Sequence, residues 1–150
     1  MRKIILVPCF LLLFLFSTTL TYAESDYYQP AKGSKEEIVM DSFFSLLLPK
    51  IQEAVSNYYS DYLTESPLVY PYQIKILDLE RIGTSFMFSV TLEVTPVLGA
   101  HNPVGRDQLT FSITPNEAKL KEFKHMETFE LPPHLQNIIK KKLMIVKFKI

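Results

Sequence analysis

One cysteine, Cys9, stands in the 150-residue sequence, inside an apolar N-terminal run. A chain that sheds this run sheds its only thiol. That excludes a disulfide framework and a metal site built on cysteine. The sequence also lacks G-x-S-x-G, H-x-x-x-H and HExxH. No nucleophile motif and no close histidine pair therefore points to an enzyme or a zinc site. There is no internal repeat and no excess of one charge, with 16 basic and 16 acidic residues. A dedicated nucleic-acid binder would be strongly basic.

The N-terminus reads as a secretory signal peptide. Arg2 and Lys3 precede the apolar run Ile4–Phe16, and Thr21 and Ala23 stand at the small-residue spacing of a cleavage site. Cleavage is expected after Ala23. A retained membrane anchor is the rival reading, but the run falls short of the ~20 apolar residues a span needs. Cys9 lies inside the run and not at its end, so it is no lipidation site. Residues 1–23 are assigned to the signal, 24–33 to a polar, poorly ordered leader and 34–150 to one domain. Both early bases leave with the signal while every acid stays, so the mature chain is slightly acidic.

Ser34 with Glu37 three residues later forms a helix start signal. Met40, Phe44, Leu47, Ile51, Val55, Tyr58 and Tyr62 then fall on one face of a 3.6-residue period. Pro49 predicts a kink or a restart near Leu48. Thr64–Pro67 ends the helical pattern.

Strands follow. Tyr70, Tyr72, Ile74 and Ile76 alternate, and the phase then slips to Leu77 and Leu79, which predicts a bulge. Phe86, Phe88, Val90, Leu92 and Val94 form the cleanest alternation, and Leu109, Phe111 and Ile113 repeat it. Residues 117–127 have helical composition but follow a strand and a short turn, and a fourth strand is assigned. "ELPPHLQNIIKKKL" reads as a C-terminal helix through Leu135, Ile138, Ile139 and Leu143, and the tail "MIVKFKI" as a last strand. The fold class is α+β: a long N-terminal helix on a curved antiparallel sheet of three to four strands, with a C-terminal helix. That is a cystatin-like or nuclear-transport-factor-like (NTF2-like) layout.

The richest segment is "GAHNPVGRD", Gly99–Asp107. Histidine serves as base, switch or ligand, so His101 with Asp107 and Asn102 is the candidate constellation. The candidate binding loop comprises His101, Asn102, Pro103, Arg106 and Asp107. The competing structural reading is a packed Ω-type loop in which Asn102 bonds the loop's own amides and Arg106 pairs with Asp107. Tyr58, Tyr59 and Tyr62 suit the margin between a dry and a wet surface. Lys140, Lys141 and Lys142 are candidates for contact with an anionic surface, or else complement a helix end. No catalytic residue, metal ligand or cofactor is assigned.

The segments "LLLPKIQEAVSNYYSDY", "YQIKILDLER", "FMFSVTLEV" and "GAHNPVGRDQLTF" together resemble a family of small exported proteins of spore-forming bacilli, domain of unknown function 3888. The resemblance spans Asp41–Ile113, and its most specific part is "HNP…G…TF". In that family a second proline and an aromatic residue stand between "HNP" and the glycine, where this chain has Val104 alone. The resemblance implies export and an important loop, and it supplies no chemistry. The expected function is a non-catalytic, exported binding or interaction module of the cell surface or wall. Its partner would be a wall polymer or another exported protein, with no nucleic acid and no anchor left after cleavage. A hydrolase-like enzyme using His101 and Asp107 is the alternative, and a purely structural exported domain is the third reading.

Overall fold

The computed structural model describes residues 28–140. The expected signal peptide, most of the leader, Lys141, Lys142 and the "MIVKFKI" tail lie outside the described residues. Helix α1 spans Lys35–Tyr59. Ser34 caps it by accepting the Glu37 amide at 3.1 Å, and the Glu37 carboxylate accepts the Gly33 amide. The first bond satisfies a donor that the first turn leaves without a partner, and the second ties the residue before the cap to the helix. Pro49 does not divide the helix, which is assigned without a break. Its ring is exposed, as is Ser45, whose carbonyl loses its donor, so water is available to that carbonyl.

The buried face of α1 carries Phe44, Leu47, Ile51, Ala54, Val55 and Tyr59. Tyr59, not Tyr58, is the fully buried tyrosine, and Met40, Tyr58 and Tyr62 pack at the margin. This face covers an antiparallel meander. Its long strands are β1 (Ile74–Arg81), β2 (Phe88–Val94), β5 (Gly105–Ile113) and β6 (Ala118–Thr128), paired in that order. A short hairpin, β3 (Val97–Leu98) and β4 (Asn102–Pro103), is inserted between β2 and β5. The fourth strand expected over residues 117–127 is thus present as β6.

Alternation sends Val90, Leu92 and Val94 of β2, and Leu109 and Phe111 of β5, into the core. Phe86 precedes β2 and is exposed. The opposite sheet face is polar. Lys75 pairs with Glu93 at 3.0 Å, Arg106 with Glu127 at 3.0 Å, and Thr91 meets Thr110 at 3.2 Å.

Three strand positions carry an extra residue. Ile76 pairs with Leu92 and Asp78 with Thr91, which leaves Leu77 as the expected bulge in β1. In β6 the extra residues are Lys121 and Met126. Tyr70 and Tyr72 do not extend β1, because Pro71–Gln73 turns as a 3-10 helix.

The expected C-terminal helix is replaced, within the described residues, by a six-residue 3-10 helix, Pro133–Ile138. Pro132 and Pro133 stand at its start, where a proline lacks only a donor that a first turn leaves unpaired, so it is the path after Ile138 that ends the helical run. Ile139 then turns extended and bridges Leu63. Among the described residues, no helix is long and apolar enough to cross a membrane.

Candidate functional site

Gly99 and His101 take positive φ of 51° and 62°, which closes a three-residue tip between β3 and β4. The His101 amide bonds the Gly99 carbonyl at 2.8 Å, and Asn102 Nδ2 donates to the Leu98 carbonyl at 3.3 Å. The loop is therefore a tight hairpin and not an Ω loop. Asn102 holds it as a donor, not as an acceptor of loop amides. Pro103 is exposed on β4.

His101 is exposed at the tip. Its Nδ1 lies 3.1 Å from the Tyr72 hydroxyl, and its ring centroid is 5.4 Å from that of Tyr70. Tyr70 and Tyr72 stack at 5.4 Å with rings 7° apart. Tyr72 is 71% exposed, so one face of this aromatic group is open to solvent. The hairpin thus gathers His101 with two tyrosines from the segment before β1.

Asp107 points the other way. Gly105, Asp107, Leu109 and Phe111 all face the core, and Asp107 is 0% exposed. Its Oδ1 lies 2.6 Å from His125 Nδ1, and its Oδ2 accepts the Tyr59 hydroxyl at 3.0 Å. His125 Nε2 in turn lies 2.7 Å from Thr128 Oγ1. Register explains the assembly: Asp107 faces His125 across the ladder, and Gly105 faces Thr128. Residues three apart on a regular strand would point to opposite faces. The Met126 bulge brings His125 and Thr128 to the same face.

Gly105 is required here. A Cβ at this position would stand 2.6 Å from the Tyr59 hydroxyl, 2.6 Å from the Glu127 carbonyl and 3.0 Å from His125 Cε1. Tyr58 covers the cluster, stacked on His125 at 5.2 Å and on Phe123 at 4.6 Å.

Burial raises the Asp107 carboxyl above the usual aspartate range, and the bonds from His125 and Tyr59 offset part of that rise. Burial and the neighbouring Asp107 charge push the Tyr59 phenol up, so it remains a proton donor. Burial is also the main cause of the rise at Tyr58, followed by Tyr62.

A hydroxyl, an imidazole and a carboxylate in series form the relay of a nucleophilic triad. Here the imidazole is roofed by Tyr58. The cluster fastens α1 to β5 and β6 through bonds whose polar atoms are satisfied within it.

Residues 39–127 match the family described as "Protein of unknown function (DUF3888)". The chain belongs to that family. The matched span runs from the first turns of α1 to the end of β6, so this DUF3888 chain holds Tyr59, His101, Asp107 and His125 inside the family region. No curated protein and no solved structure matches the chain.

The structure therefore separates residues that the sequence places in one group. His101 and Asp107 belong to different clusters. Arg106 pairs with Glu127 and Glu93 on the polar sheet face and not with Asp107. Lys140 donates its backbone amide to the Tyr62 carbonyl and its ammonium to the Ser60 carbonyl, at 2.8 and 3.1 Å. It thereby closes the end of α1. Among the described residues, no group of three His, Cys, Asp or Glu side chains is placed to hold a metal.

Sequence reasoning missed Tyr59, His125 and Thr128 as partners of Asp107. It also missed Tyr70 and Tyr72 as neighbours of His101. The sequence did signal that Asp107 needs a partner, though not which one. Asp107 shares its alternation with Leu109 and Phe111, and an acid in core phase requires a buried partner.

Proposed function

We propose that this protein is a non-catalytic binding module that works outside the membrane, at the cell surface or in the wall, with the His101 hairpin as its contact. The observation that carries the reading is His101 itself. An exposed L-residue with φ of 62° sits in a conformation that costs about 1–2 kcal/mol. A glycine there would serve the turn without that cost. Backbone strain of this kind concentrates where a ligand is held. The open face of Tyr72 beside the imidazole offers an apolar surface with a polar edge, suited to a wall polymer or another exported protein.

The alternative hydrolase reading loses its constellation, since Asp107 is buried against His125 and Tyr59 while His101 bonds Tyr72. The reading extends to the fold, where one long helix on an antiparallel meander supports a cystatin-like or NTF2-like layout. It also extends to export. The mature protein should begin at Glu24, which mass spectrometry of the secreted form checks.

The test is retention on isolated cell walls. Tyr72→Ala and His101→Gly should each lower retention at least tenfold while circular dichroism stays unchanged. Equal retention of both variants and wild type removes the hairpin as the contact and favours the purely structural reading.

A further inference from the structure

The face of the sheet that is core beneath the C-terminal half of α1 is left open beneath its beginning. The Leu77 bulge keeps Leu79 and Arg81 on the helix side, opposite Val90 and Phe88. The first turns of α1 pass over this end without sealing it. A hollow of about 630 Å³ remains, lined by Val39, Met40, Phe43, Leu79, Phe88 and Ile113. Val39 is 68% and Leu79 55% exposed. A second hollow of about 440 Å³ shares Phe88 and Ile113 with it and reaches Phe86. Small-ligand sites fall within roughly 300–1,000 Å³ and are mainly apolar with a few placed polar groups.

The charged groups lie at the edge. Lys35 and Glu36 of the first helical turn line the larger hollow. The Arg81 guanidinium lies over the Phe88 ring, 4.5 Å from its centroid, and over Phe86 at 5.6 Å. Arg81 donates to the Ser85 carbonyl, and among the described residues neither Lys35 nor Arg81 forms an ion pair. Two cations against Glu36 leave the rim net positive around an apolar slot.

From this complementarity we infer that the hollow binds a single-chain anionic amphiphile, a free long-chain carboxylate. Its hydrocarbon lies along Leu79, Phe88 and Met40, and its head group lies toward Lys35 and Arg81. This site is distinct from the His101 hairpin and does not depend on it.

The experiment is calorimetric titration of the mature chain with decanoate, dodecanoate and dodecyltrimethylammonium, each below its micelle concentration. Dodecanoate should bind 1:1. Each methylene taken from water changes affinity roughly fourfold, so dodecanoate should bind about ten- to twentyfold more tightly than decanoate. It should also bind at least tenfold more tightly than the cationic amphiphile of equal chain length. Leu79→Gln and Val39→Gln alter exposed side chains, and each should weaken dodecanoate at least tenfold with an unchanged circular dichroism spectrum. The double variant Lys35→Gln/Arg81→Gln should reduce the preference for the carboxylate to below threefold while the cationic amphiphile binds at least as tightly as before. Absence of saturable dodecanoate binding overturns the inference. So does equal affinity for the two head groups. Adsorption to anionic phosphatidylglycerol vesicles without uptake of the monomer also overturns it, and reassigns the face to a membrane surface.

Discussion

The phenol of Tyr59, on the last turn of α1, donates to the carboxylate of Asp107 in β5 across 48 residues of sequence, at 3.0 Å and out of contact with water. This bond joins the two layers of the fold, and the contact of Asp107 with His125 extends the link to β6. Tyr59→Phe removes the donor and leaves a buried oxygen without a partner, at a cost of about 1–3 kcal/mol. Thermal unfolding should show a clear drop in Tm. An unchanged Tm would mean that the carboxylate finds another donor.

The raised carboxyl of Asp107 makes stability depend on pH with a definite sign. In the folded state Asp107 holds its proton to higher pH than in the unfolded chain. Its stabilising contribution is full below the unfolded value of 3.8 and is lost as pH rises through the elevated folded value. Wild-type stability relative to Asp107→Asn should therefore increase as pH falls toward 3.8. Parallel stability curves for the two proteins across this window would contradict the assignment.

Gly105→Ala should be costly for a different reason. The new methyl meets a backbone carbonyl, the Tyr59 hydroxyl and the His125 ring at once. The carbonyl belongs to a paired strand and yields little, so overpacking of about 1–3 kcal/mol is expected. Denaturant unfolding measures it through a lower midpoint with an unchanged slope.

His101→Gly should move stability and binding in opposite directions. Glycine relieves the positive φ, while the chain loses the Tyr72 contact and gains freedom when unfolded. Tm should stay level or rise by the equivalent of up to about 1 kcal/mol. Retention on walls should fall. A lowered Tm would show that the imidazole serves the hairpin's own stability.

Alternation alone identified β2 and β5 and their buried Val90, Leu92, Val94, Leu109 and Phe111, because each strand has one apolar face, but it also carried Phe86 to the core face, and Phe86 is exposed. The helix face was legible to within one residue, since Tyr58 and Tyr59 are adjacent and either completes the period. The partners of Asp107 were not legible. His125 and Thr128 share a face only because Met126 is extra, and a bulge in a strand of mixed composition leaves no mark in the sequence. The "HNP" segment drew attention to His101, which stands exposed at the hairpin tip. Asp107, six residues on, stands in the core phase of Leu109 and Phe111, so its burial was legible while the residues that meet it were not. The 3-10 turn at Pro133 shows the reverse case, where an apolar helical period gave way to an extended Ile139 bridged to Leu63.

The bulges also decide where this chain has slack. Leu77, Lys121 and Met126 are each surplus to a regular ladder, since the residues on either side already have consecutive partners across the strand. Removing one would shorten its strand without exchanging inside for outside. β2 and its pairing with β5 hold no such spare, for their register runs unbroken from Phe88 with Ile113 to Val94 with Asp107. Length variation among relatives should therefore collect in β1 and β6 and avoid the two central strands. A protein lacking Lys121 should fold, whereas one lacking Thr91 should turn half of a central strand inside out.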